Sequence, residues 1–324
     1  MSDPALSIII VSYNTKNDLQ QCLDGLKKEN VPLEVFVVDN GSTDGTIDML
    51  RDEYSEWTAF TLILNNKNVG FTHACNQPLS QCHGEYVLFL NSDTIIYSDA
   101  LQKLVDFMDS NSDVGVIGPK LYYGDKKLQL SCFYDSPVLN LLNILCWHLL
   151  PCNLAESFYV KWFYSRWIDQ EQKDVGWVSG ACLMIRRSVA IELKGFDDKF
   201  FLSAQDSLDL CKRVKGKNYR IVFYPKAEII HYCGRSTNNN AGVDKKVKFL
   251  LHMHHGHLYY YRKHHGIFIM VVLKCIFSII SLLKGLFAGI IYAFTLSDRY
   301  KIASQSRIVL SYKILALQIP HPSI

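Results

Sequence analysis

Three short apolar runs in this 324-residue chain each end in residues that can bind, accept a proton or hold a metal. SIIIVS is followed by Tyr13 and Asn14, LEVFVV by Asp39 and Asn40, and YVLFL by Asn91, Ser92 and Asp93. A carboxylate in such a place is a hard oxygen ligand suited to Mg²⁺ or Mn²⁺ beside a diphosphate. Mg²⁺ takes only one or two protein carboxylates and completes its shell with phosphate oxygens and water. One well-placed aspartate, Asp93, is therefore enough to seat a cation that neutralises charge on a departing nucleoside diphosphate. Asp39 and Tyr13 could bind and stack on a nucleobase. Taken singly, each polar end is also what a helix cap or a turn uses. Three of them in one arrangement point to a site.

The elements that must position these residues alternate. Residues 6–14 read as a buried strand, and Asn17 to Lys28 as a helix with apolar positions at Leu19, Cys22, Leu23 and Leu26. A second buried strand from Leu33 runs into the turn GSTDGT, followed by a helix from Thr46 to Tyr54. Residues 60–66 give a third strand, 68–82 a loop and helix, and EYVLFLNSD the fourth strand. This βαβα order predicts an α/β fold with a largely parallel, helix-covered sheet. Ligands of open α/β sheets bind at the carboxyl ends of the strands, where all three polar ends fall. Residues 133–173 interrupt the order with Trp147, Trp162, Phe163, Tyr164 and Trp167 among leucines. This insertion reads equally as core packing or as a surface for lipid or acceptor. From Asp174 the chain returns to short strands and turns.

Composition excludes several classes. A net charge of +3 is too small to argue for nucleic acid, and the first 230 residues hold no basic stripe with interleaved aromatics. None of the ten cysteines forms a Cys-x-x-Cys pair, so no zinc site is expected. The amino end carries no apolar run of signal-peptide length. Reduced, buried thiols and a cytoplasmic catalytic part are the expectation. No G-x-G-x-x-G follows the first strand and no P-loop occurs, which argues against nicotinamide enzymes and P-loop NTPases. VSYNTKND has no glycine with which to grip a triphosphate, so a sugar nucleotidyltransferase is disfavoured.

After Asn240 the chain changes character. KVKFLLHMHHGHLYYYRKHHG is basic and aromatic and holds six of the eleven histidines. Their irregular spacing favours a basic interfacial helix over a metal site. Ile267 to Leu296 is an apolar stretch whose only charged residues are Lys274 and Lys284, and would be ~45 Å long as a helix. Ten residues apart, the two lysines fall within roughly 80° of each other. A helix lying in the membrane interface, or a shallow hairpin, fits better than a clean span, because a central charge costs about 2.5 kcal/mol or more. A spanning helix with snorkelling lysines is the alternative.

In order, SIIIVSYN, VVDNGSTDGT, NKNVGF, LFLNSD, WVSGACLMIRR, GFDDKFF, QDSLDLC and YPKAEIIH closely resemble the family 2 glycosyltransferases. The similarity covers roughly residues 6–237 and is nearest the rhamnosyltransferase-like branch of bacterial surface-polysaccharide synthesis. It implies a GT-A domain, taken as 1–240, and inversion at the anomeric carbon by direct displacement, while composition alone makes 241–324 a basic, histidine-rich and apolar helical segment associated with the membrane. The implied partners are a nucleotide-sugar donor (dTDP-rhamnose or a UDP-sugar), a divalent metal, Mg²⁺ or Mn²⁺, and a lipid-linked or other membrane-bound saccharide acceptor. The implied place is the cytoplasmic face of the cell membrane.

By position, Asp39 resembles the family's base-recognising aspartate and Tyr13, with Asn14 beside it, the residue flanking the nucleobase. Asn68 and Gly70 look like part of the donor loop. Asn91-Ser92-Asp93 is similar to Asp-x-Asp, with Asp93 in the metal place and Asn91 replacing the first acid. His231 resembles a histidine that joins the metal or contacts the diphosphate, though a core histidine satisfied by hydrogen bonds reads nearly as well. Arg235, in GRST, resembles a phosphate contact in a flexible loop, while Trp177, Ser179 and Gly180 sit where the sugar and acceptor pocket is shaped. The general base should come from Phe-Phe-x-x-x-Glu-Asp-x-Asp-Leu-Cys, but Phe200 to Cys211 carries one extra residue, and Gln205 stands where Glu is usual. Counting from Phe200 makes Asp206 the base, and counting back from Cys211 puts Ser207 there. Asp206 could equally cap the helix that follows, and Asp209 is the reserve base. Gln205, Asn91 and the extra residue leave a second reading, a glycosyltransferase-like binding or scaffold protein without turnover.

Overall fold

The computed structural model describes residues 4–322 apart from 98, 135, 137–139, 143, 146–170, 202–204 and 234–242. Runs of β-branched and aromatic residues form the strands. β1 (Leu6–Ser12), β2 (Leu33–Asp39), β3 (Phe60–Leu64) and β4 (Tyr86–Asn91) pair in parallel, in the order β3-β2-β1-β4. Between them run α1 (Lys16–Leu26), α2 (Thr46–Tyr54) and α3 (Phe71–Asn76).

Successive side chains of β1 serve two cores. Ile8 and Ile10 pack with Leu19, Leu23 and Leu50 of α1 and α2. Ile9 faces the other way, towards Phe36, Phe89 and Phe196. The period of two explains why the strand reads as continuously apolar: both faces are covered. Each fully buried side chain of this size contributes about 1.5–3 kcal/mol.

Beyond β4 the sheet ceases to be parallel. β5 (Thr94–Ile96), α4 (Ala100–Ser110) and β6 (Val114–Tyr122) follow in the chain, and after them the short strands β7 (Leu128–Gln129), β8 (Cys132–Phe133), β9 (Lys173–Asp174) and β10 (Trp177–Val178). β11 (Cys182–Arg186) then inserts antiparallel between β4 and β6, and β12 (Arg220–His231) pairs parallel with β6 and antiparallel with β5. The full order is β3-β2-β1-β4-β11-β6-β12-β5, a mixed sheet. α5 (Arg187–Glu192) and α6 (Gln205–Lys215) join the second face. The aromatic insertion is described only at its margins, and Trp147, Trp162, Phe163, Tyr164 and Trp167 lie outside the described residues.

Residues 243–316 form α7 (Val243–His265), α8 (Ile267–Thr295) and α9 (Asp298–Ala316). Two expectations are corrected here. α7 is no interfacial helix: Tyr259, Tyr260, Tyr261, His254 and His257 are buried, packed in a core continuous with Phe196 and Phe200 on one side and Phe277 of α8 on the other. The tyrosines and the ring faces of the histidines supply apolar area that the sequence presents as polar. α8 is one unbroken helix rather than a hairpin, flanked by α9. Lys274 donates to the carbonyl of Leu317 at 2.8 Å and so turns inward to cap the end of α9. α8 is long and apolar enough to cross a membrane, with 28% of its most apolar window buried.

Candidate active site

Register aligns the three polar strand ends. Ser12 is paired with Asp39 and Val11 with Asn91, so Tyr13, Asp39 and Asn91 leave the sheet side by side on three adjacent strands. Asp39 is fully buried. Its Oδ1 accepts the N–H groups of Gly41 and Ser42 at 3.1 and 2.8 Å. Its Oδ2 is buried with no protein partner. A buried acceptor left open costs roughly 1–3 kcal/mol unless a ligand supplies a donor. Tyr13, 40% exposed, stands at the next strand end as a free aromatic face.

Asn14 has a structural role that its motif does not announce. Its Oδ1 accepts from the Thr43 N–H at 2.8 Å, and its own N–H donates to Ser42 Oγ at 2.9 Å. With φ at +55° it clasps the loop after β2 through Oδ1 and its backbone N–H.

The loop bearing Asn68 and Gly70 is held by Asn40, a residue sequence reasoning left without a role. Asn40 Nδ2 donates to the Gly70 carbonyl at 3.2 Å, while its Oδ1 accepts from Asn65 Nδ2 at 3.0 Å. Asn68 Oδ1 accepts the Gly70 N–H at 2.9 Å. Gly70 has φ +96°, and a Cβ there would lie 2.9 Å from the Phe201 ring, so both backbone and space require glycine.

Asn91, Asp93 and His231 meet where β4 ends and β12 closes. His231 Nε2 lies 3.2 Å from Asp93 Oδ1 and 3.1 Å from Asn91 Nδ2. Its Nδ1 lies 2.9 Å from Gln129 Oε1. With that amide oxygen as acceptor, Nδ1 carries the proton and unprotonated Nε2 accepts from Asn91 Nδ2 while lying beside Asp93 Oδ1. Two acceptors at that distance repel unless a proton or a cation lies between them. The donor set, one carboxylate and one imidazole fixed by a carboxamide behind it, suits a divalent cation whose remaining ligands are phosphate and water. Asp93 and His231 are each 8% exposed. Behind them runs a hydroxyl chain, Ser12 to Thr15 at 3.1 Å and Thr15 to Ser92 at 3.0 Å, which fixes the turn. Gln129 and this chain carry no motif. Among the described residues no group of three or more His, Cys, Asp or Glu is placed to hold a metal.

The Asn91 N–H donates to the Ala181 carbonyl at 2.9 Å, which ties this corner to the start of β11. Next to Ala181, Gly180 lies against Asp206 and Ser207: a Cβ on it would sit 2.4 Å from Ser207 Oγ and 4.0 Å from Asp206 Oδ1. Asp206 is thus brought to the same corner from the first turn of α6. Its Oδ1 accepts the Ser207 N–H at 2.5 Å and Ser207 Oγ at 3.0 Å. Asp206 is buried, 4% exposed, and these two contacts to Ser207 hold Oδ1 within the first turn of α6. Ser179 shapes the turn into β11 by accepting the Ala181 N–H at 3.3 Å.

Two expected site residues face inward. Trp177 is buried, stacked on Phe133 at 3.8 Å, with Nε1 donating to Asn140 at 3.3 Å, so it supports the pocket from behind rather than lining it. Asp209, the reserve base, is fully buried between Arg213 Nε at 2.8 Å, Lys263 Nζ at 2.8 Å and His264 Nε2 at 2.7 Å. Burial pushes its pKa up, but the His264 hydrogen bond and the Arg213 and Lys263 charges outweigh this and hold it well below the usual carboxylate range. Fully buried, with both oxygens in ion pairs, it is out of reach of an incoming hydroxyl, which corrects its assignment as a base. Arg235 lies outside the described residues.

A family model described as glycosyl transferase family 2 matches residues 7–193. The N-acetylglucosaminyl-diphospho-decaprenol L-rhamnosyltransferase of Mycobacterium tuberculosis is 25% identical over 248 residues, 72% of this chain and 78% of that protein. The poly(ribitol-phosphate) beta-glucosyltransferase of Bacillus spizizenii is 33% identical over 114 residues, 34% of this chain and 18% of that one. Among solved structures, a mannosyltransferase of Pyrobaculum calidifontis in complex with GDP-Man and Mn²⁺ aligns with a TM-score of 0.52 at 17% identity, covering 97% of this chain and 87% of its own. GalNAc-T7 with UDP, GalNAc and Mn²⁺ aligns at 0.57 and 13% identity, over 81% and 48%. The fold is accordingly the GT-A fold anticipated from the motifs.

Proposed function

The chain belongs to glycosyl transferase family 2, and on that premise we propose that it is an inverting transferase moving a sugar from a nucleoside-diphosphate sugar to a membrane-borne saccharide. The observation that carries this reading is the meeting of Asp93, His231 and Asn91 with Asp206 across the Gly180–Ala181 turn, beside the open acceptor of Asp39.

Asp39 Oδ2 accepts an N–H of the nucleobase, whose face rests on Tyr13. The Asn68–Gly70 loop, pinned by Asn40, covers the donor. Asp93 and His231 would hold Mg²⁺ or Mn²⁺, which when bound offsets the charge of the leaving diphosphate. Asp206 accepts the proton of the acceptor hydroxyl as its oxygen attacks the anomeric carbon. The bond from that carbon to the diphosphate oxygen breaks, its electron pair leaves with the nucleoside diphosphate, and the configuration inverts. The resemblance of GRST to a phosphate-contacting loop supports Arg235 as a further phosphate ligand.

The Mycobacterium tuberculosis relative acts on a decaprenyl-diphosphate-linked sugar with rhamnose. That supports dTDP-rhamnose as the first donor to try, a polyprenyl-linked acceptor and a part in surface-polysaccharide synthesis. The outward apolar face of α8 would seat the enzyme on the cytoplasmic leaflet. Residues 241–324 hold eleven Lys and Arg against two acidic residues, which suits an anionic surface. The catalytic domain is taken as 1–240 and the membrane-associated part as 241–324.

The test is release of nucleoside diphosphate by the full chain from dTDP-rhamnose, UDP-N-acetylglucosamine and UDP-glucose, with Mn²⁺ or EDTA, with and without a bacterial lipid extract. Release from one donor that needs both metal and lipid supports the reading. Donor binding without release under every condition would favour the inactive binding protein.

A further inference from the structure

α6 carries two carboxylates one turn apart, Asp206 in the site and Asp209 behind it. Asp209 is gripped by α7 through His264 Nε2 at 2.7 Å and Lys263 Nζ at 2.8 Å. The same ammonium reaches Asp197 Oδ2 at 2.7 Å, and that oxygen also accepts Tyr259 Oη at 2.8 Å. Asp197 and Asp209 bracket the stretch of chain in which Asp206 stands. Other contacts of the C-terminal helices fall on the same stretch. His252 stacks on Phe201 with ring centres 4.0 Å apart, Tyr259 meets Phe200 edge-on at 4.9 Å, and Lys199 Nζ donates to the His321 carbonyl at 2.6 Å. Phe201 in turn accepts the Phe71 N–H at 2.7 Å and lies against Gly70 of the donor loop.

We propose that Lys263 is a positioning residue for the transfer: through Asp197 and Asp209 it fixes the segment that presents Asp206, which makes α7–α9 part of the catalytic apparatus and not a detachable anchor. The proposal rests on the reading of Asp206 as the general base. Its physical core is that one buried ammonium is shared by two carboxylates. Remove it and the two anions, 0% and 13% exposed at their side chains, lose their common counter-ion. Asp209 still has Arg213 and His264, so the effect is a loosening of residues 197–209 rather than global unfolding. Lys263→Arg keeps a cation with several donors in reach of both acids, whereas Lys263→Met keeps the length of the chain and no charge.

The experiment compares wild type, Lys263→Met and Lys263→Arg as full-length protein bound to phosphatidylglycerol-containing vesicles. It reads amide hydrogen exchange, Mn²⁺-dependent binding of UDP and dTDP, and turnover of whichever donor the wild type uses. Expected is at least tenfold faster exchange at residues 205–211 in Lys263→Met, exchange in β1 and β4 unchanged, unchanged nucleotide binding, and kcat lowered at least tenfold. Lys263→Arg should recover most of both. Wild-type exchange at 205–211 in Lys263→Met, or a lower Tm with unaltered kcat and exchange, overturns the proposal. If Lys263→Met does not accumulate folded, His264→Gln, which keeps a neutral donor to Asp209, carries the same readings with a smaller shift. The exchange arm needs no substrate. Should no donor be turned over, the transferase reading fails while the clamp is still decided by exchange alone.

Discussion

At the carboxyl edge of β1, β2 and β4 the apolar residues are inside and polar ones are delivered outward at the strand ends. Along α8 the arrangement is reversed beyond the buried Met270, Leu273 and Phe277 of its first half. From there on Ser278, Ser281, Gly285 and Ala288 are buried against its neighbours, whereas Leu283, Phe287 and Phe294 are 59–86% exposed. Small residues inside and large apolar ones outside is the packing that helices adopt when the surrounding medium is hydrocarbon. On the proposed reading the first surface meets a hydrated diphosphate and the second a lipid, and α7 lies in a core shared by both regions.

The largest expected effect falls on the strand-end edge. Asp93→Ala should lower donor turnover by about 10³-fold or more, on the several kcal/mol that a cation contributes to a leaving diphosphate, and should abolish Mn²⁺-dependent binding of dTDP or UDP in a titration. Near-normal binding would place the metal elsewhere.

The second prediction separates the regions by pH. Burial pushes His257 down to about 4 and His254 well below its usual value, the latter with help from His257 and Arg307. A folded-state value below the unfolded ~6.5 means that the unfolded chain binds the extra proton between the two. The stability contributed by neutral His257 is therefore complete above pH ~6.5 and is lost as pH falls towards 4. For His257 this is about 2 kcal/mol between pH 7.5 and 5. The depressed Asp209 acts lower, its contribution present above about 4 and lost below it. Urea midpoints should drop from pH 7.5 to 5, exchange in α7 should rise before that in β1, and His257→Leu should flatten the slope. A flat profile in the wild type would break the contrast.

Phe287→Lys, on the 65% exposed position of α8, should weaken vesicle binding by about 2 kcal/mol, roughly thirtyfold. It should do so with an unchanged Tm, because the side chain touches no core. A fall in Tm with intact vesicle binding would show that this face packs on protein. Gly70→Ala should cost about 1–2 kcal/mol in a denaturant titration, from the strained backbone and the Phe201 contact, with a matching loss of donor affinity.

How much of this was readable in advance differs between the regions for a physical reason. β1, β2 and β4 are specified by local signals, an apolar run and its polar terminus, so their order and the convergence of Tyr13, Asp39 and Asp93 were legible. The place of β11 between β4 and β6 was not, because pairing across the chain leaves no periodic trace. The clasp that Asn14 makes on the loop after β2 was not legible, since a carboxamide that holds a neighbouring loop has the same sequence appearance as one that binds a ligand. Trp177 was expected in the pocket, yet stacking on Phe133 puts it in the core. In the C-terminal helices only α8 announces itself by composition. Their tie to α6 rests on Lys263 and His264 reaching Asp209 more than fifty residues away, and ion pairs at that separation have no spacing rule.

Loss of turnover at Asp206 tests the central claim most directly. With the donor that the wild type uses, Mn²⁺ and lipid acceptor present, Asp206→Asn should bind nucleotide as the wild type does and release nucleoside diphosphate about 10²–10⁴-fold more slowly. Release at the wild-type rate would remove Asp206 from the chemistry and leave the meeting of these strand ends with α6 without its proposed purpose.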